Sequence, residues 1–207
     1  MIDLILKGGP FIYPIIICSV IALGIFLERL WILQRRLIIP PDFIRQIEDL
    51  LKKQKIADAI FLCQSDGSSI AKIFLAGLKN TGRGMWLVKE AIEERGGREA
   101  LILEKHVGIL STIANLTPLL GLLGTVSGMI KTFNVISIQG VGDPAPLAGG
   151  IAEALITTAT GLCIAIPTLV CHRILKDKAE SLVFEMEENS IKIIEIMESY
   201  NAQSRDR

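Results

Sequence analysis

The chain has 207 residues, half of them hydrophobic and few aromatic, and its 22 Lys and Arg balance its 22 Asp and Glu. That apolar share, with a positive mean hydropathy, excludes an ordinary soluble domain and points to a membrane protein; zero net charge gives no global pull on nucleic acid. Cys18, Cys63, Cys163 and Cys171 show neither paired spacing nor a ligand pattern, so neither a disulfide framework nor a metal site is expected.

From Gly8 to Leu27 no residue is charged, and about twenty apolar residues suffice to cross a bilayer. A cleaved signal peptide would need a basic start and a small-residue cleavage site. Here Lys7 is balanced by Asp3, and the positive charges (Arg29, Arg35, Arg36) come after the apolar run. Residues 8–33 are therefore read as transmembrane helix one, with the N-terminus outside and the chain entering the cytoplasm. Trp31 fits an interfacial anchor, and Pro10 and Pro14 fit the first turns, where a missing N–H is tolerated.

Residues 34–106 read as a cytoplasmic helical region rich in Lys and Arg. Pro40-Pro41 breaks the exit helix, with Asp42 as the expected N-cap of the next. Phe43, Ile47, Leu50 and Leu51 recur at helical spacing, then Ile56, Ile60 and Cys63, then Ile70, Ile73, Phe74 and Leu78. Turns are expected at Asp66–Ser69 and Asn80–Gly84. A longer helical pattern starts at Met85 and crosses Gly96-Gly97, which weakens or bends it.

Residues 107–130, VGILSTIANLTPLLGLLGTVSGMI, form the second span. Pro118 should bend it. Gly121, Gly124 and Gly128 supply close-packing surface, the last two as a GxxxG pair, and Thr117, Gly121, Thr125, Gly128 and Thr132 share one face. Residues 131–146, with Gly140, Gly142, Pro144 and Pro146 as breakers, read as a short periplasmic loop. His106 and His172 read as interfacial polar residues flanking spans two and three.

Residues 147–171 form the third span, and it carries an acid, Glu153, in GGIAEALITTATGLCIAIPTLVC. A carboxyl in hydrocarbon is costly and is functional by default, although Glu153 could also lie at the outer headgroup level. Glu153, Thr157, Thr160, Ile164 and Thr168 fall along one stripe with Thr158 beside it. The stripe reads either as a polar lining or as packing surface whose threonines bond to their own i−4 carbonyls. One acid near one end cannot relay a proton across about 30 Å of hydrocarbon, so an ion path would need a second carrier. Residues 172–207 should continue as a cytoplasmic helix, with Leu182, Met186, Asn189, Ile193, Ile196 and Tyr200 in near-heptad rhythm, and end in a frayed tail, NAQSRDR. The fold class expected is an all-α membrane protein with three transmembrane helices, C-terminus in the cytoplasm.

LTPLLGLLGTVSGMIKTF and GGIAEALITTATGLCIAIPTLV, with ERLW closing span one, resemble the MotA/TolQ/ExbB proton-channel family; three spans favour its ExbB/TolQ branch. The resemblance implies a homopentamer in the inner membrane of a Gram-negative bacterium. It would surround a dimer of a single-span ExbD-like or TolR-like partner whose membrane Asp carries the proton. Proton-motive force would be delivered through a TonB-like or TolA-like protein. Carried over by position, Thr125, Glu153 and Thr158 line the pore, and Thr157 is added from the stripe. No cofactor is implied. The alternatives are a TolQ-like role in outer-membrane integrity and a non-conducting structural oligomer. A secondary transporter would show internal repeats, and an enzyme a nucleophile–base set, a phosphate loop or a metal spacing; none is visible.

Overall fold

The chain folds as eight helices among the residues described by this computed structural model, 8–140 and 144–205. They are α1 (Ile12–Ile32), α2 (Arg35–Ile38), α3 (Pro41–Lys52), α4 (Ile56–Asp66), α5 (Ser69–Leu78), α6 (Met85–Glu104), α7 (Val107–Gln139) and α8 (Pro144–Arg205). No strand occurs among the described residues. Among the described residues three helices are long and apolar enough to cross a membrane; the 21 residues of α1 rise about 31 Å, close to the thickness of the hydrocarbon core. The chain divides into two units, Met1–Arg29 with His106–Leu175, and Leu30–Lys105 with Lys176–Arg207.

The first unit has a mixed interior. Ile12, Ile15, Leu110, Ile113 and Leu175 are buried in it, and where α7 meets α8 the buried residues are small and hydroxylated: Thr117, Gly121, Gly124, Gly128 and Thr132 on α7, and Ala154, Thr157, Gly161, Ala165 and Thr168 on α8. Its exterior holds large apolar side chains, among them Val20, Leu23, Leu119, Leu122, Phe133, Leu155 and Ile166. In water this would be a poor protein. In lipid the tails solvate the outside, so helices associate through close packing and hydrogen bonds, which small residues permit. Both α7 and α8 run through an internal proline, Pro118 and Pro167.

The second unit is packed as a water-soluble domain is, on large apolar residues. Phe43 stacks on Phe74 with ring centroids 6.2 Å apart, and Ile47, Ile70, Ile73 and Leu78 are fully buried beside them. Gly67, at φ +70°, ends α4 in the left-handed conformation that glycine adopts without strain. The Ser68 hydroxyl then caps α5, accepting from the Ala71 N–H at 3.3 Å. Gly77 lets α5 approach α6, since a Cβ there would stand 2.6 Å from the Ile92 side chain. Lys89 on α6 reaches Glu198 on α8 at 2.5 Å, and Arg35 on α2 forms a two-pronged pair with Glu185 on α8 through Nε and Nη2.

Several boundaries differ from expectation. Pro40, not Asp42, is the cap of α3; Pro41 takes the first helical position and Asp42 sits in the first turn, where its charge suits the helix dipole. The stretch expected as a loop over 131–146 is helical to Gln139 and again from Pro144, because Lys131 ends the apolar run but does not break a helix; Gly140, at φ +73°, does. Gly142 lies outside the described residues. The buried stripe on the end of α8 runs Leu182, Met186, Ser190, Ile193 and Met197. It drifts one residue from the heptad positions Asn189 and Ile196, as a 3.6-residue helix does against a 3.5-residue repeat. The tail does not fray at Asn201, since α8 continues to Arg205.

Candidate functional site

The α7–α8 pair carries the polar groups, and glycines decide how closely the two helices approach. A Cβ on Gly161 would stand 2.6 Å from the Thr117 carbonyl, one on Gly121 3.0 Å from Thr158 Cα, one on Gly124 2.7 Å from Thr157 Cβ, and one on Gly128 2.8 Å from the Gly150 carbonyl. Gly121, Gly124 and Gly128 thus all lie at the helix interface, and Gly161 joins them from α8.

Within this seam the hydroxyls are all spoken for. Thr157 is fully buried and donates toward two carbonyls, its own Glu153 at 2.7 Å and Gly8 at 2.7 Å. Thr117, Thr132, Thr160 and Thr168 each bond back to the carbonyl four residues earlier. Thr158 differs: its hydroxyl crosses to α7 and donates to the Gly121 carbonyl at 2.9 Å. Thr125 turns back to Leu122 at 2.6 Å on its own helix and is only partly buried.

Glu153 does not face acyl chains alone. Its Oε1 accepts from Lys131 Nζ on α7 at 2.5 Å, with the carboxylate side chain 17% exposed and the lysine 51%. Gly9 lies against the same carboxyl so closely that a Cβ there would overlap it, and its φ of +67° also favours glycine. Gly8 and Gly9 therefore cover the Glu153–Thr157 end of the seam.

The structure thus gathers Glu153 and Thr157 with Lys131, Gly8 and Gly9, ties Thr158 to Gly121, and leaves Thr125 at the edge. Lys131 and the Gly8-Gly9 cover were not anticipated. A signal for the lysine is present: Lys131 is the one basic residue between spans two and three, and Glu153 the one acid in span three. No cluster of His, Cys, Asp and Glu suited to a metal occurs among the described residues.

Two further features lie elsewhere. At the other end of the first unit, Arg29 contacts His106 Nδ1 at 3.1 Å and Glu28 at 3.4 Å, while His106 holds a left-handed backbone at the start of α7. The second unit contains a cavity of about 640 Å³ between α6 and α8, its apolar floor including Ile92 and Met186 and its rim Glu93, Glu187 and Glu195.

A model of the MotA/TolQ/ExbB proton channel family matches residues 66–188, a stretch that includes all of the α7–α8 seam. The chain is 37% identical over 183 residues to a putative biopolymer transport protein, ExbB-like 1, of Synechocystis, covering 84% of this chain and 70% of that one. It is 28% identical over 192 residues to the biopolymer transport protein exbB1 of Vibrio cholerae, covering 86% and 80%. It is also 33% identical over 127 residues to the Tol-Pal system protein TolQ of Pseudomonas aeruginosa, covering 56% and 55%.

Proposed function

Because this chain belongs to the MotA/TolQ/ExbB proton channel family, we propose that it is the multi-span subunit of a proton-driven inner-membrane complex. Its N-terminus lies outside and its C-terminus in the cytoplasm. It assembles as a homo-oligomer, a pentamer in this reading, around a dimer of an ExbD-like or TolR-like single-span protein whose membrane carboxylate carries the proton. The work passes to a TonB-like protein for uptake across a Gram-negative outer membrane.

The observation that carries this reading is the placement of Glu153, Thr157 and Thr158 in a tight seam of glycines and threonines, inside helices whose outer faces are apolar. A carboxyl in a membrane-spanning helix is functional by default, and Glu153, Thr158 and Thr125 are only partly buried, so a partner helix could meet them at the edge of the seam. In this reading Thr125 and Thr158, whose protons go to the Leu122 and Gly121 carbonyls, keep lone pairs that accept from the partner's protonated carboxyl, and Glu153 sets the charge at the outer mouth. Gly121, Gly124, Gly128 and Pro118 shape the packing. A TolQ-like role in envelope integrity is supported by the likeness to TolQ of Pseudomonas aeruginosa. A non-conducting scaffold is supported by the threonines that bond back to their own helix.

The test is co-purification with the product of the adjacent gene, then reconstitution in phosphatidylethanolamine–phosphatidylglycerol vesicles and proton flux read by internal pyranine. A complex with a single-span protein that moves protons, and stops doing so in Glu153→Ala, supports the reading. An assembled complex that conducts nothing, in vesicles and in cells, rejects it in favour of the scaffold.

A further inference from the structure

We propose that Lys131 is a positioning residue for Glu153: it holds the carboxylate, against the cover formed by Gly9, in the one orientation from which it can act on the passage. This rests on the proposed role of Glu153 and adds a second residue to it.

A glutamate side chain has three rotatable bonds, and leaving it free in a partly apolar site gives it several resting places. Here the choices are narrowed from two sides. Lys131 Nζ approaches Oε1 at 2.5 Å from the neighbouring helix. On the other side the carboxyl packs against the Gly9 backbone, in the space that a side chain at position 9 would fill, and that approach is possible only because position 9 has no Cβ. The backbone that carries Glu153 is fixed in turn, since its carbonyl accepts from buried Thr157, whose hydroxyl also reaches Gly8.

The two charges are unequally solvated. Lys131 is about half exposed and Glu153 much less so. The ammonium therefore keeps contact with water while it supports an anion drawn into the protein, an arrangement a long amphipathic side chain can provide. A charge-assisted hydrogen bond in such a place is stronger than a neutral one and directional. Position 131 also stands one turn beyond Gly128 on α7, so the seam's packing delivers the lysine to the level of the acid.

The experiment compares Lys131→Gln, Lys131→Arg and Glu153→Ala, each in the complex with its co-purified partner, by native mass and by pyranine-reported proton flux. Lys131→Gln should assemble with flux lowered tenfold or more, about what losing a hydrogen bond to a charged group entails. Lys131→Arg should recover at least half of the wild-type flux, because a cation at that position is what the carboxylate requires. If Lys131→Gln conducts normally while Glu153→Ala is dead, Lys131 is idle and the proposal falls, with the role of Glu153 intact. If Glu153→Ala conducts normally, it is the reading of the site itself that fails. A complex that no longer assembles in Lys131→Gln makes the pair a structural tie and overturns the positioning role. So does an assembled Lys131→Arg complex without flux.

Discussion

The hydroxyl of Thr158 donates across the helix pair to the main-chain carbonyl of Gly121, 2.9 Å away. It differs in this from Thr160 and Thr168, which bond back within α8. Thr158→Val keeps the shape and loses the donor; Thr158→Ser keeps the donor. Side-chain hydrogen bonds between membrane helices average about 0.6 kcal/mol and reach about 1.7 kcal/mol. Thr158→Val should therefore lower the unfolding midpoint of the detergent-solubilised complex only slightly while abolishing energy-dependent function, and Thr158→Ser should retain both. Normal function in Thr158→Val would remove this hydroxyl from the path.

Glycines at the seam should tolerate added carbon in a definite order. At Gly161 the neighbour is the Thr117 main-chain carbonyl, 2.6 Å from an added Cβ, and helical backbone cannot move aside alone. At Gly24 on α1 nothing lies within 4 Å. Gly161→Ala should cost about 1–3 kcal/mol, the usual range for overpacking, and weaken assembly. Gly24→Ala should be neutral or slightly stabilising, since alanine favours a helix over glycine. Gly124→Leu, which would drive a branched chain into Thr157, should disrupt the oligomer on a native gel.

The membrane-facing plan was the most legible part of the chain, because uncharged runs of span length have few other uses. The GxxxG pair on α7 and the Thr157 stripe on α8 were visible for a related reason: a period of 3.6 places Gly121, Gly124 and Gly128 on one face, and all three are buried. The ends of α7 were not legible, since Lys131 closes a hydrophobic pattern without interrupting helical hydrogen bonding. Nor was the choice between back-bonded and cross-bonded threonines. That depends on whether a carbonyl such as Gly121's lies opposite the hydroxyl, and registry between helices is set by packing that periodicity does not contain. The closeness of Gly9 to Glu153 spans most of the chain, and no local pattern announces it.

Acid should loosen α2 before it unfolds the second unit. Arg35 donates from Nε and from Nη2 to the Glu185 carboxylate, which holds that carboxyl below its ordinary range; Lys192 contributes a smaller pull in the same direction. A carboxyl depressed in the folded state stabilises fully above its unfolded value and loses that contribution as pH falls through its folded value. Amide hydrogen exchange at Leu37 and Ile38 should therefore quicken, relative to α5, as pH is lowered below the usual glutamate range. Glu185→Gln should show the quickened exchange at neutral pH and little further change in acid. Because Arg35 is exposed, the effect should also weaken with added salt.

Cys63 should be the silent thiol of the second unit. It is buried on α4, and burial, reinforced by the nearby Asp66 carboxylate, pushes its thiol up to about 12. Only a thiolate attacks a maleimide, so at neutral pH both the access and the reactive form are missing. In a variant retaining Cys63 as its sole cysteine, native protein should label with N-ethylmaleimide at least a hundredfold more slowly than the same protein in guanidinium chloride. Asp66→Asn removes the lesser cause and leaves the burial, so it should raise the rate only slightly. Ala59→Gly, which opens space one turn away on the same buried face, should raise it more. Fast labelling of the native protein at pH 7 would mean that α4 separates from α5 far more often than their packing allows.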